Sequence, residues 1–224
     1  MERSLQIDRR FQTVLKVVRI LYVLTGIGLM VRGVIHHSVY EGLLALATLL
    51  LIPGLYLARR IFRWEGGWQM ETYVYVFSYL GWTLGGAAKC YSVIPCFDKM
   101  VHCLSGLFVS VLVLAFYRML ESDHSKQGEN PATSFFFVFF GSMAVAGLFE
   151  LCEFTIAPIM GRDLQHVMDT GVADTMMDMF VCLLGTLVMM WLMWRQRKGK
   201  YDPFTGAAEA FAQHNPIGAG HKVK

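Results

Sequence analysis

Apolar residues fill six long runs separated by short polar stretches, at approximately residues 14–35, 39–58, 72–90, 98–119, 133–155 and 172–194. A helix crosses the hydrocarbon layer of a bilayer with about 20 predominantly apolar residues, so each run is long enough to span. The pattern predicts an all-α fold: a polytopic membrane bundle of six transmembrane helices. Its short loops leave no room for a separate soluble domain. The bundle occupies residues 1–200, and the polar, Gly- and Ala-rich stretch 201–224 reads as a mobile cytoplasmic tail with at most a short helical turn.

Composition agrees with this reading: 55% of the 224 residues are hydrophobic and 17% are charged, outside the balance of soluble domains. The segment before the first run, "MERSLQIDRRFQTVLK", exceeds a usual signal-peptide head, and no small-residue cleavage site follows the run. It is expected to stay as the first helix.

Orientation follows from Lys and Arg. With both termini cytoplasmic, only Arg32, Lys89, Lys99 and Arg162 of the 20 Lys and Arg residues fall outside. The formal charge of +3 therefore reflects topology and gives no reason to expect a nucleic-acid partner. Cys90 and Cys96 flank "CYSVIPC" in an outer loop; they either pair there or remain free thiols. Cys103, Cys152 and Cys182 lie inside helices and read as small apolar fillers.

Candidate chemistry gathers at one level. In the expected topology the fourth and sixth spans begin on the outer side, and the fifth ends there. The fourth carries Asp98 and His102, the fifth Glu150 and Glu153 in "ELCEF", and the sixth Asp174 and Asp178 in "ADTMMDMF". Spacings of three or four put each pair on one helix face. The uninterrupted run from Met179 to Trp194 covers 16 residues, about 24 Å of helix and too short to span. Asp178 is therefore expected inside the membrane, where ionisable groups usually face the bundle interior. Small residues continue the stripes at Ser105, Gly106, Gly147 and Gly185, which would let the polar faces approach one another.

Simpler readings stand beside this one. Asp98 and Asp174 lie where aspartate caps a helix N-terminus, and a single His102 is more often a hydrogen-bonded core histidine than a ligand. Glu150 and Glu153 lie at a helix C-terminal end, where the dipole disfavours carboxylates. Lys99, Arg162, Arg32, protons or a metal ion could compensate them. Carboxylates suit Mg, Ca or Mn; an added imidazole admits Zn or Fe.

The elements "FDKMVHCLSG", "ELCEF" and "DTMMDMFVCLLGT" resemble the YjdF-like family of small bacterial integral membrane proteins, over roughly residues 90–190. More distantly they are similar to the VanZ-like family, which is linked to glycopeptide resistance. Asp98, Lys99, His102, Glu150, Asp178 and Gly185 match that second pattern, while Glu153 and Cys182 stand where it has glutamine and asparagine. The resemblance implies a bacterial plasma-membrane protein and supports the polar site; it implies no reaction.

Three functions fit the sequence. The first is an outward-facing pocket binding a divalent cation, as the one cofactor the donors suggest, or the headgroup of a membrane lipid. The second is a metal-dependent hydrolase or transferase on a lipid-linked phosphate, with His102 as catalytic acid or base. The third is cation or proton transport, for which the later spans supply no matching inner acid.

Overall fold

The computed structural model describes residues 2–65, 67–121, 130–161 and 163–217. The described chain is helical, and it divides by internal packing into two compact units, Met1–Asp98 and Lys99–Lys224.

The first unit contains α1 (Glu2–Ile35), α2 (Val39–Phe62), α3 (Trp68–Ser78), a π-helix (Tyr79–Ala87) and the short α4 (Cys90–Val93). Ser38 starts α2 by accepting a hydrogen bond from the Glu41 N–H, as an N-cap should. Arg63, in the left-handed region, ends it with its N–H donating to the Arg59 carbonyl. Pro53 removes one backbone donor from the middle of this helix. Leu15, Tyr22 and Tyr75 form one fully buried core, with Leu51, Ile52, Leu55 and Tyr79 packed around it. Leu29, Ala45 and Ala87 form a second.

Two carboxylates, Glu41 buried and Glu71 partly so, tie this unit together. Glu71 on α3 accepts from Arg19 of α1 and from Arg59 of α2, the latter at 2.8 Å. Glu41 binds Lys89 at 2.7 Å and Arg32 at 3.1 Å, and Arg32 also donates to the Ala87 carbonyl at 2.7 Å.

Helix α5 (Phe97–Glu121) opens the second unit, followed by α6 (Pro131–Met160), α7 (Val167–Thr170), α8 (Ala173–Arg197) and α9 (Pro203–His214). The boundary between the units falls within the first turn of α5, so Asp98 is carried by the helix that begins the second unit. Asn130 caps α6 by accepting from the Ala132 N–H, with Pro131 at the first helical position, and Gly161 ends it in the left-handed conformation.

Helices α5 and α8 meet at two glycines. A methyl group on Gly106 would lie 2.0 Å from the Cys182 carbonyl oxygen, and one on Gly185 would lie 2.0 Å from the Cys103 carbonyl oxygen. Gly147, expected to serve similarly on α6, has open space beside it. The hydroxyls of Ser110, Ser142 of α6 and Thr186 of α8 lie 2.6, 3.3 and 3.5 Å from the Gly106 carbonyl oxygen, and those of Ser142 and Thr186 lie 2.9 Å from each other. Three helices are thus fastened around one oxygen.

Five of the expected spans are present as long apolar helices: Arg10–Ile35, Glu41–Phe62, Phe97–Glu121, Pro131–Ile159 and Ala173–Arg197. In the 18-residue apolar stretch of each, only 17% to 39% is buried within the protein. The expected run at 72–90 differs: its α-helix ends at Ser78 and nine residues of π-helix take over, so no single α-helix of spanning length forms there.

The stretch after Tyr201 carries the twelve-residue helix α9. Asp202 caps α9 by accepting from the Phe204 and Thr205 N–H groups, and Pro203 follows at the first helical position. Thr205, Ala207, Ala208 and Ala212 are buried, the Phe204 ring lies 6.2 Å from Phe108 near the midpoint of α5, and the Ile217 N–H donates to the Met119 carbonyl. Small alanines let α9 pack closely. Residues 218–224 lie outside the described residues.

Candidate functional site

The first turns of α5 and α8 place their polar side chains together. One ligand atom each from Asp98, His102 and Asp178 lie within 4.8 Å of one another. Asp98 and His102 sit one turn apart on α5, and Asp178 reaches them from α8. Its side chain is 5% exposed, against 12% for His102.

Lys99 organises the carboxylates of α8. Its Nζ donates to Asp174 at 2.5 Å and to Asp178 at 2.7 Å. The same Asp178 oxygen lies 3.9 Å from His102 Nε2, beyond direct hydrogen-bond range. Two carboxylates of α8 therefore share one ammonium.

Of the six residues singled out in the sequence, Asp98, His102 and Asp178 form this group, and Asp174 is joined to it through Lys99. Glu150 and Glu153 do not enter the group. Glu150 is buried on α6, where its carboxylate accepts from the Gln165 side-chain amide at 3.1 Å, and the same amide donates to the Glu150 backbone carbonyl. Glu153 is half-buried one turn further on. From α6 the Phe149 ring lies 5.7 Å from His102 in an edge-on arrangement.

Lys99 engages the α8 aspartates, Arg32 serves Glu41, and Arg162 lies outside the described residues. Cys90 and Cys96 are free thiols.

Cys182, read in the sequence as a filler, borders the site. Its sulfur lies 3.1 Å from the His102 carbonyl oxygen, 3.1 Å from Ser105 Oγ and 3.9 Å from His102 Nδ1. The signal was present: Asp174, Asp178, Cys182 and Thr186 recur every fourth residue, forming one face of α8. Gln165 carried no comparable signal, because its loop alone brings it beneath Glu150.

Long apolar helices with sparse internal burial, and ionisable groups held at the helix ends, define a multi-pass membrane protein. A family model described as a predicted membrane protein (DUF2238) matches residues 17–199, and the chain belongs to this family. This is the YjdF family; the more distant VanZ-like resemblance is not shown by the comparison. No curated protein and no solved structure matches the chain significantly.

Proposed function

We propose that this protein crosses the bacterial inner membrane six times with both termini cytoplasmic, and binds a divalent cation near its outer face through Asp98, His102 and Asp178. The π-helix continues α3 as the third span. The excess of Lys and Arg on the terminal side supports this orientation.

The observation carrying the cation reading is the mutual approach of two carboxylates and one imidazole within 4.8 Å. Two oxygens and one nitrogen suit Mn, Zn or Fe better than Ca, which takes six to eight oxygens. Three protein ligands also leave coordination positions for water or a lipid phosphate oxygen. The role is binding, with a membrane lipid headgroup as the second ligand.

Lys99 competes for the site because Asp178 serves both cations. Metal content of detergent-purified protein and titration with Zn or Mn test this. Asp178→Asn should lose the metal, while Lys99→Met should bind at least tenfold more tightly than wild type. Equal metal content in wild type and Asp178→Asn, both folded, would refute the assignment.

A further inference from the structure

We propose that the end of α8 opposite Asp174 and Asp178 holds an anionic phospholipid, its phosphate taken by Arg195 and Lys198 and one acyl chain lying along the helix face that leads to them. The proposal is independent of the cation-binding reading, which concerns the other end of the helix.

Helix phase sets this face. Leu184, Val188, Trp191, Arg195 and Lys198 follow one another at steps of three and four residues, with Trp194 beside Arg195, so they form one stripe on α8. Its apolar members, Leu184, Val188, Trp191 and Trp194, are 42% to 52% exposed. From Leu184 to Trp194 the helix rises about 15 Å, half of the roughly 30 Å hydrocarbon layer. The apolar part of the stripe therefore matches the depth of one leaflet, and the two indoles stand where such a leaflet turns polar.

Apolar exposure alone would suit any lipid; the charges select among them. Each cation lies on an indole. Lys198 Nζ is 3.7 Å from the centre of the Trp194 ring, and the Arg195 guanidinium carbon is 4.7 Å from that of Trp191. Among the described residues, neither is paired with a carboxylate. Residues 195–200 hold four cations and no acid. The two acids that follow are engaged elsewhere: Glu209 accepts from Gln196, and Asp202 from the first turn of α9. The helix end makes no demand on these side chains either, because the N–H groups of Lys198, Gly199 and Lys200 donate to the Arg195 and Gln196 carbonyls.

A basic helix end serves topology wherever its side chains point. Here both heads are instead held against rings, which attract a cation electrostatically but accept no conventional hydrogen bond. Their N–H donors stay available, and less freedom is lost when an anion arrives. A phosphodiester supplies the missing acceptor: one negative charge whose oxygens suit a guanidinium fork and an ammonium.

The test uses the full chain with Trp64→Phe, Trp68→Phe and Trp82→Phe, which leaves Trp191 and Trp194 as the tryptophans, reconstituted in phosphatidylcholine vesicles. Phosphatidylglycerol with brominated chains, present in both leaflets so that the direction of insertion is immaterial, should quench them more strongly than brominated phosphatidylcholine at equal content. Arg195→Gln combined with Lys198→Gln should lower this preference about 25-fold, roughly fivefold for each basic residue removed. Arg195→Lys with Lys198→Arg should keep most of it. Arg60→Gln with Arg63→Gln, at exposed positions ending α2, should leave it unchanged. Equal quenching by the two lipids, no change in the first Gln pair, or an equal loss in the Arg60 and Arg63 pair would overturn the proposal. So would displacement of the brominated lipid by inorganic phosphate at constant ionic strength, which would make the ligand a soluble anion. Native mass spectrometry of the chain with all five tryptophans gives a second readout, and equal retention of phosphatidylglycerol with and without the Arg195 and Lys198 charges would be as decisive against it.

Discussion

At Gly106 and Gly185 a single added carbon decides whether α5 and α8 can meet. Each methyl would land 2.0 Å from a backbone oxygen, which cannot swing away as a side chain could. Gly106→Ala and Gly185→Ala should each destabilise the second unit by about 3 kcal/mol, the upper part of the usual overpacking range, while Gly147→Ala should be close to neutral. Unfolding in increasing SDS, followed by tryptophan fluorescence, would rank the three. Both tight glycines were visible in the sequence as small residues on polar stripes. Gly147 had the same appearance but no neighbour. Residue type identifies where close approach is allowed; only the packing of a particular partner makes it necessary. The same limit separates the acids. Asp98 could be paired with His102, and Asp174 with Asp178, from spacing because helix phase fixes each pair, whereas the approach of α8 to α5 and the bond from Glu150 to a loop amide are revealed by no periodicity.

Among the elements, α3 depends on one carboxylate more than on its own length. Glu71 joins α3 to α1 and α2, with 9% of its side chain exposed, while Arg19 and Arg59 remain 37% and 29% exposed. Breaking an ion pair that is wholly buried can cost 3–5 kcal/mol, but solvent or headgroup access to the arginines reduces this. Glu71→Gln should therefore destabilise the first unit by about 1–2 kcal/mol, measured by thermal unfolding in detergent. Glu71→Asp should recover part of the loss. The hydropathy pattern located this element but not its change of winding, since π and α turns place apolar residues at similar spacings. Helix α9 is longer than the short turn expected there, for a different reason. Its alanine face is only weakly apolar, and its stability comes from packing beside α8 and α5, a tertiary gain that overrides a modest local signal. Ala208→Leu, at a fully buried position, should dislodge α9 and make the chain cleavable near Tyr201 by added protease, whereas wild type should resist.

On the scale of the whole molecule, charge and hydropathy made the architecture legible: all helix, several spans, short connections. They encoded far less about which helices share a core. The proposed orientation makes a direct prediction through the free thiols. Cys96 is exposed in the loop between α4 and α5, whereas Cys182 is buried. In intact cells a membrane-impermeant maleimide should label wild type and label Cys96→Ser less, and labelling that requires permeabilisation would invert the topology. The junction between the units carries a consequence of its own. Because the two cores meet in sequence inside one turn of α5, the chain has no slack between Asp98 and His102. One extra residue inserted after Asp98 would turn it by about 100° around the helix axis, out of phase with its histidine. The same insertion between Pro95 and Cys96 would be absorbed before the helix begins.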